Sequence, residues 1–97
     1  MARVTRFYQT TVRTSVTQIV AYSPERTALL IRNISGSTVY ISTDQGSVHS
    51  EGLKLDEGEY VSMVRADGDA PELQVYAATA SGTADLRIVE TMERENK

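Results

Sequence analysis

Polar and apolar side chains alternate with a period of two along most of this chain, and only an extended strand sends successive side chains to opposite sides. From Thr11 to Tyr22 the even positions Val12, Val16, Val20 and Tyr22 are apolar, while Arg13, Ser15 and Thr17 are polar. The same rhythm returns in Leu73, Val75 and Ala77, and again where Ala84, Leu86 and Ile88 alternate with Asp85, Arg87 and Val89. Turn residues separate these runs: Ser23-Pro24-Glu25-Arg26, Ser35-Gly36, Asp56-Glu57-Gly58-Glu59, Ala66 to Pro71 and Ser81-Gly82. No window shows a helical period. The pattern predicts an all-β fold of about seven to eight short strands, a compact antiparallel β-sandwich of jelly-roll or Ig-like type or a small closed barrel.

Pairings follow if each turn joins a hairpin. With Ile34-Ser35-Gly36 as a loop, Ile31 faces Val39 and Leu29 faces Ile41, which leaves Leu30 and Tyr40 together on the opposite face. A second hairpin is expected from Leu53-x-Leu55 to Tyr60–Arg65. A third, turning at Ser81-Gly82, sets Ala77 opposite Leu86 and Val75 opposite Ile88. Thr43 to Glu51 reads as a polar loop. Residues 1–10 precede the first clear strand and are expected to be an N-terminal arm, residues 11–90 the sandwich domain, and residues 91–97 a flexible charged tail.

The 97 residues are enough for one core. Nine Ser, eleven Thr and ten Val fit strands and turns. Without Cys there is no disulfide, thiolate metal site or thiol nucleophile, and one His cannot make a multi-His site. No run approaches a membrane span, and the start Met-Ala-Arg-Val-Thr-Arg lacks a signal peptide's apolar stretch, so the expected place of synthesis is the cytoplasm, with no membrane partner. The net charge of −3 conceals a division: residues 1–43 hold five Arg against one Glu, +4, and residues 44–97 hold five basic against twelve acidic side chains, −7. Such a layout suits docking on protein better than binding nucleic acid.

Candidate chemistry is sparse. His49 lies between Asp44 and Glu51 with Ser47 and Ser50 nearby, but neighbours on one loop do not make a rigid triad, and a solvated histidine is the expectation. Asp67, Asp69 and Glu72 supply oxygen ligands without EF-hand spacing. Asn33-Ile34-Ser35 matches a glycosylation acceptor but has no secretion signal to give it meaning. No catalytic residue, metal or cofactor is assigned. Arg3, Arg6, Phe7, Tyr8 and Arg13 form the basic and aromatic segment expected to contact a partner protein. Leu30, Tyr40 and Tyr76 fall on outward phases and are expected at an oligomer interface.

The run Leu29-Leu30-Ile31-Arg32-Asn33, Ser35-Gly36-Ser37 and Val39-Tyr40-Ile41, with Leu53-x-Leu55-x-x-Gly58-Glu59 and Tyr76 through Glu90, resembles small β-sandwich virion structural proteins of tailed bacteriophages. The resemblance covers most of Thr27 to Glu90 and none of residues 1–20. It implies a non-enzymatic capsid decoration or head-accessory protein, located in the virion, docking on a capsid or other virion protein and self-associating, with a trimer favoured. The alternative reading is a glycan- or receptor-binding module of a fibre or tail, using Tyr40, Tyr60 or Tyr76 and the Asp67–Glu72 loop.

Overall fold

The computed structural model describes residues 2–94. Eight strands run in the order β1 (Ala2–Val12), β2 (Thr17–Val20), β3 (Arg26–Gly36), β4 (Val39–Ser42), β5 (Leu53–Leu55), β6 (Tyr60–Val64), β7 (Val75–Thr79) and β8 (Ala84–Arg94). They form two antiparallel four-stranded sheets, β1-β8-β3-β6 and β2-β7-β4-β5. Every connection except β4–β5 carries the chain from one sheet to the other. Of the two expected sandwich types this is the jelly roll.

That topology corrects all three hairpins. Leu29, Ile31, Val39, Ile41, Val75, Ala77, Leu86 and Ile88 do share one buried core, as their phase requires. They meet across the sandwich rather than along a ladder: Ile31 is paired with Ile88 and Val61, and Ile41 with Ala77 and Leu53. Period-two alternation reports which face a residue occupies, and says nothing about which strand lies beside it. At the β3–β4 corner Gly36 takes φ 101°, and a Cβ there would lie 2.4 Å from the Thr83 carbonyl oxygen, so the chain turns between the sheets only without a side chain.

The expected arm is also strand. β1 pairs with β8 along its whole length, from Ala2 opposite Arg94 to Val12 opposite Ala84. Val4, Tyr8, Thr10 and Val12 are buried or half-buried, whereas Arg3, Thr5, Phe7, Gln9 and Thr11 are exposed. Apart from Arg6, exposed in the inward phase, alternation therefore continues back to Arg3, disguised by Phe7 in the exposed phase. Between Val12 and Thr17 the chain breaks, so Thr11–Tyr22 is not one strand. Thr91–Arg94 of the expected tail belong to β8, with Met92 buried. Met1 and residues 95–97 lie outside the described residues. Thr43–Glu51 is not a plain loop: it holds a 3-10 turn, Gln45–Ser47, and a one-turn helix α1, Val48–Glu51.

Two buried polar residues fasten the crossings, where chain passing between sheets carries its carbonyls away from water. Arg26 donates from Nε to Glu90 Oε1 at 2.8 Å, from Nη1 to the Pro71 carbonyl at 3.0 Å and from Nη2 to the Ala21 carbonyl at 2.7 Å. One guanidinium thereby holds the β2–β3 and β6–β7 connections onto β8. At the opposite end the Asn33 amide donates to the carbonyls of Ser37 at 2.9 Å and Leu55 at 3.1 Å, and the Asn33 backbone accepts from Gly58 N at 2.6 Å. Asn33 is 0% exposed, so the glycosylation pattern it begins is inaccessible in the folded protein.

Candidate interaction surface

The sheets differ in strand length. β1, β3 and β8 of the first sheet have eleven residues each, against three to five in every strand of the second. The register arranges the exposed phase of the first sheet into rows running across the strands. In one row Phe7 is opposite Val89, Val89 opposite Leu30, and Leu30 opposite Ser62. Phe7 is 76% exposed, and Val89 and Leu30 are half-buried. All three are large apolar residues in the outward phase of β1, β8 and β3, and pairing brings them side by side.

The flanking rows contrast. Towards one end stand Gln9, Arg87, Arg32 and Tyr60, the last 61% exposed. Arg87 and Arg32 are directly opposite, an arrangement in which like charges repel, and neither has an ion-pair partner among the described residues. Towards the other end come Thr5, Thr91, Ala28 and Val64, of which the last three line an open hollow of about 560 Å³ rimmed by Arg3, Arg65 and Glu93. Beyond them Arg3 meets Glu93 at 3.2 Å, and the exposed Glu25 lies beside Glu93, its carbonyl accepting from Glu93 N at 2.9 Å.

The second sheet has a cover on its outside. Tyr40, between the buried Val39 and Ile41, points outward and meets His49 of α1 at a ring-centroid distance of 6.3 Å. Val48 is buried without belonging to the interior cluster, and Ala78, opposite Tyr40 in the outward phase, is 0% exposed. The four-residue α1 segment thus covers part of this face, around Ala78 and Tyr40, while Lys54 beside Tyr40 stays exposed.

The residues expected at a partner contact are divided by this geometry. Arg3 and Phe7 lie on the outer face of the first sheet. Arg6 and Tyr8 have the opposite phase and line a cleft of about 310 Å³ with Tyr22, Arg26 and Glu90 at the sandwich edge. Burial, and then the Glu90 carboxylate, push the Tyr8 hydroxyl pKa up, with Arg26 opposing. Arg13 is exposed after β1, where its carbonyl accepts from Thr79 N at 2.9 Å. The expected oligomer set separates too. Leu30 is outside the first sheet, Tyr40 and Tyr76 outside the second, because the chain changes sheets at Gly36. His49 is exposed beside Tyr40. Asp69 is engaged in a turn, its Oδ2 accepting from Val64 N at 3.0 Å, and Glu72 lies 3.8 Å from Arg65. Among the described residues no three His, Asp or Glu side chains are placed to hold a metal ion, and no helix is long and apolar enough to cross a membrane.

Sequence reading missed Val89, Arg32, Arg87 and Glu93 as surface partners of Phe7 and Leu30. Val89 carried a usable signal, an apolar residue in the polar phase of β8. Glu90 carried the converse one, a carboxylate in the dry phase set by Leu86 and Ile88.

No family model matches the chain, and no curated protein matches it. Among solved structures it is similar to a chain from the Bacillus endospore appendages, described as forming a novel family of disulfide-linked pili, at TM-score 0.58 and 14% identity over 97% of this chain and 88% of that one. At that identity the likeness establishes a shared all-β fold and nothing further.

Proposed function

We propose that this chain is a non-enzymatic structural subunit that works through its surface in a multi-copy assembly, and that the assembly is a virion, with the chain as a capsid decoration or head-accessory protein. The observation carrying the structural-subunit reading is the row Phe7–Val89–Leu30. Three out-of-phase apolar residues gather on an uncovered face, while α1 covers part of the equivalent face of the second sheet. A contiguous apolar exposure on a soluble domain marks an interaction site. The virion part rests on the resemblance of Thr27–Glu90 to tailed-phage sandwich proteins. Homo-oligomerisation belongs to the same proposal.

The fold likeness to a pilus subunit favours a second reading, a subunit of a surface filament. Since this chain contains no Cys, its copies would be joined without the disulfides named for that family. The glycan-binding alternative is less well served, because Tyr60 lies outside the first sheet and Tyr40 and Tyr76 outside the second. Immunogold labelling of cells and particles producing the chain separates these readings. Label on phage heads supports the decoration role, label on filaments transfers the chain to the appendage class, and diffuse label bound to no particle contradicts both.

A further inference from the structure

We infer that the outer face of the first sheet binds the same face of a second copy of this chain about a two-fold axis lying parallel to its cross-strand rows. This rests on the surface-acting reading above and names the partner. Along the strands the rows run from one of mixed charge, where Glu93 and Glu25 stand with Arg3 and Arg65, to a small one at Thr91 and Ala28, to a large one at Val89 and Leu30, to a purely basic one at Arg87 and Arg32. Reversing that order by a half-turn between the small and large rows makes the face complementary to itself. Leu30 lies over Ala28 and Val89 over Thr91, so the apolar ridge of each copy enters the hollow of the other. Arg87 meets Glu93 and Arg32 meets Glu25, which answers the like-charge opposition that the isolated chain leaves uncompensated. Both copies present the same patch, as a closed two-fold contact requires. Their strands stay roughly aligned, within about 30°, as in face-to-face sheet packing.

The face is about 20 Å on a side from strand and residue spacings, small beside the roughly 800 Å² per partner of a standard interface. The pair is therefore weak alone and gains strength through repetition in an assembly. It replaces the trimer as the order expected of the isolated chain.

The cysteine-free sequence allows a direct test. The half-turn places Arg3 of one copy over Gln9 of the other, while each residue stays about 20 Å along the strand from its own counterpart. Arg3→Cys and Gln9→Cys are prepared separately and treated with a short bis-maleimide, alone and mixed, at high protein concentration. The mixture should give at least tenfold more cross-linked dimer than either variant alone; equal yields, or no dimer in the mixture, overturn the contact. Because Arg3→Cys removes the Arg3–Glu93 pair, a second measurement stands beside it. Arg87→Glu should weaken dimerisation in sedimentation about tenfold, the double variant Arg87→Glu/Glu93→Arg should recover most of it, and absence of recovery also overturns the contact. Both readouts use the isolated chain, so their failure removes the self-contact and leaves particle labelling to decide the structural-subunit reading.

Discussion

The outer faces of the two sheets receive the same kind of side chain and treat it differently. Outside the second sheet Tyr40 is met by His49, Ala78 is fully covered and Val48 is buried over them. Outside the first sheet Phe7, Val89 and Leu30 have no such cover, and Arg32 and Arg87 stand opposite each other without an acidic partner among the described residues. A face whose apolar groups are satisfied within the chain contributes to stability. One whose groups are left open contributes to association, so substitutions on the two faces should register in different measurements.

The sharpest contrast lies within β8. Glu90→Ala leaves the buried Arg26 guanidinium unpaired and should cost about 3–5 kcal/mol in urea unfolding, whereas Val89→Ala, one residue away on the outer face, should cost within about 1 kcal/mol at dilutions where the chain is monomeric. Equal costs would mean that the outer face is already packed in the monomer. Between the faces, Val48→Ala should destabilise by about 2 kcal/mol through two lost buried carbons, and Phe7→Ala by no more than about 0.5 kcal/mol. Parity there would erase the distinction between covered and open faces.

The smallest effect concerns the edge between the sheets. Burial beside Glu90 raises the Tyr8 pKa in the folded chain. Its contribution is therefore complete below the unfolded value of about 10 and disappears as pH rises through the higher folded value. Tyr8→Phe should flatten the alkaline decline in stability above that pH. An unchanged decline would show that Tyr8 does not titrate in contact with the Glu90–Arg26 pair.

Much of the interior was legible in residue order. Leu29, Ile31, Val39, Ile41, Leu86 and Ile88 are all inside, as their alternation required. Partnership was not legible, since a hairpin and a jelly-roll crossing both demand a glycine-bearing turn between two alternating runs. The choice between them is made by contacts far apart in sequence, such as β1 with β8. The surface was half legible for a related reason. Phe7, Leu30 and Val89 each violate the local phase, but their rule-breaking becomes a single feature only when three strands distant in sequence place them in one row. Arg26 looked like part of a polar turn because its partners, Glu90, Pro71 and Ala21, arrive from other segments.

Equilibrium sedimentation over a wide concentration range tests the open face most directly, comparing the parent chain with Leu30→Asp on the first sheet and Lys54→Asp, at an exposed position outside the second. The parent and Lys54→Asp should both shift from monomer towards dimer as concentration rises, and Leu30→Asp should remain monomeric while keeping its β circular-dichroism spectrum. Dimerisation unaffected by Leu30→Asp, or abolished by Lys54→Asp, would contradict the assignment of association to the first sheet.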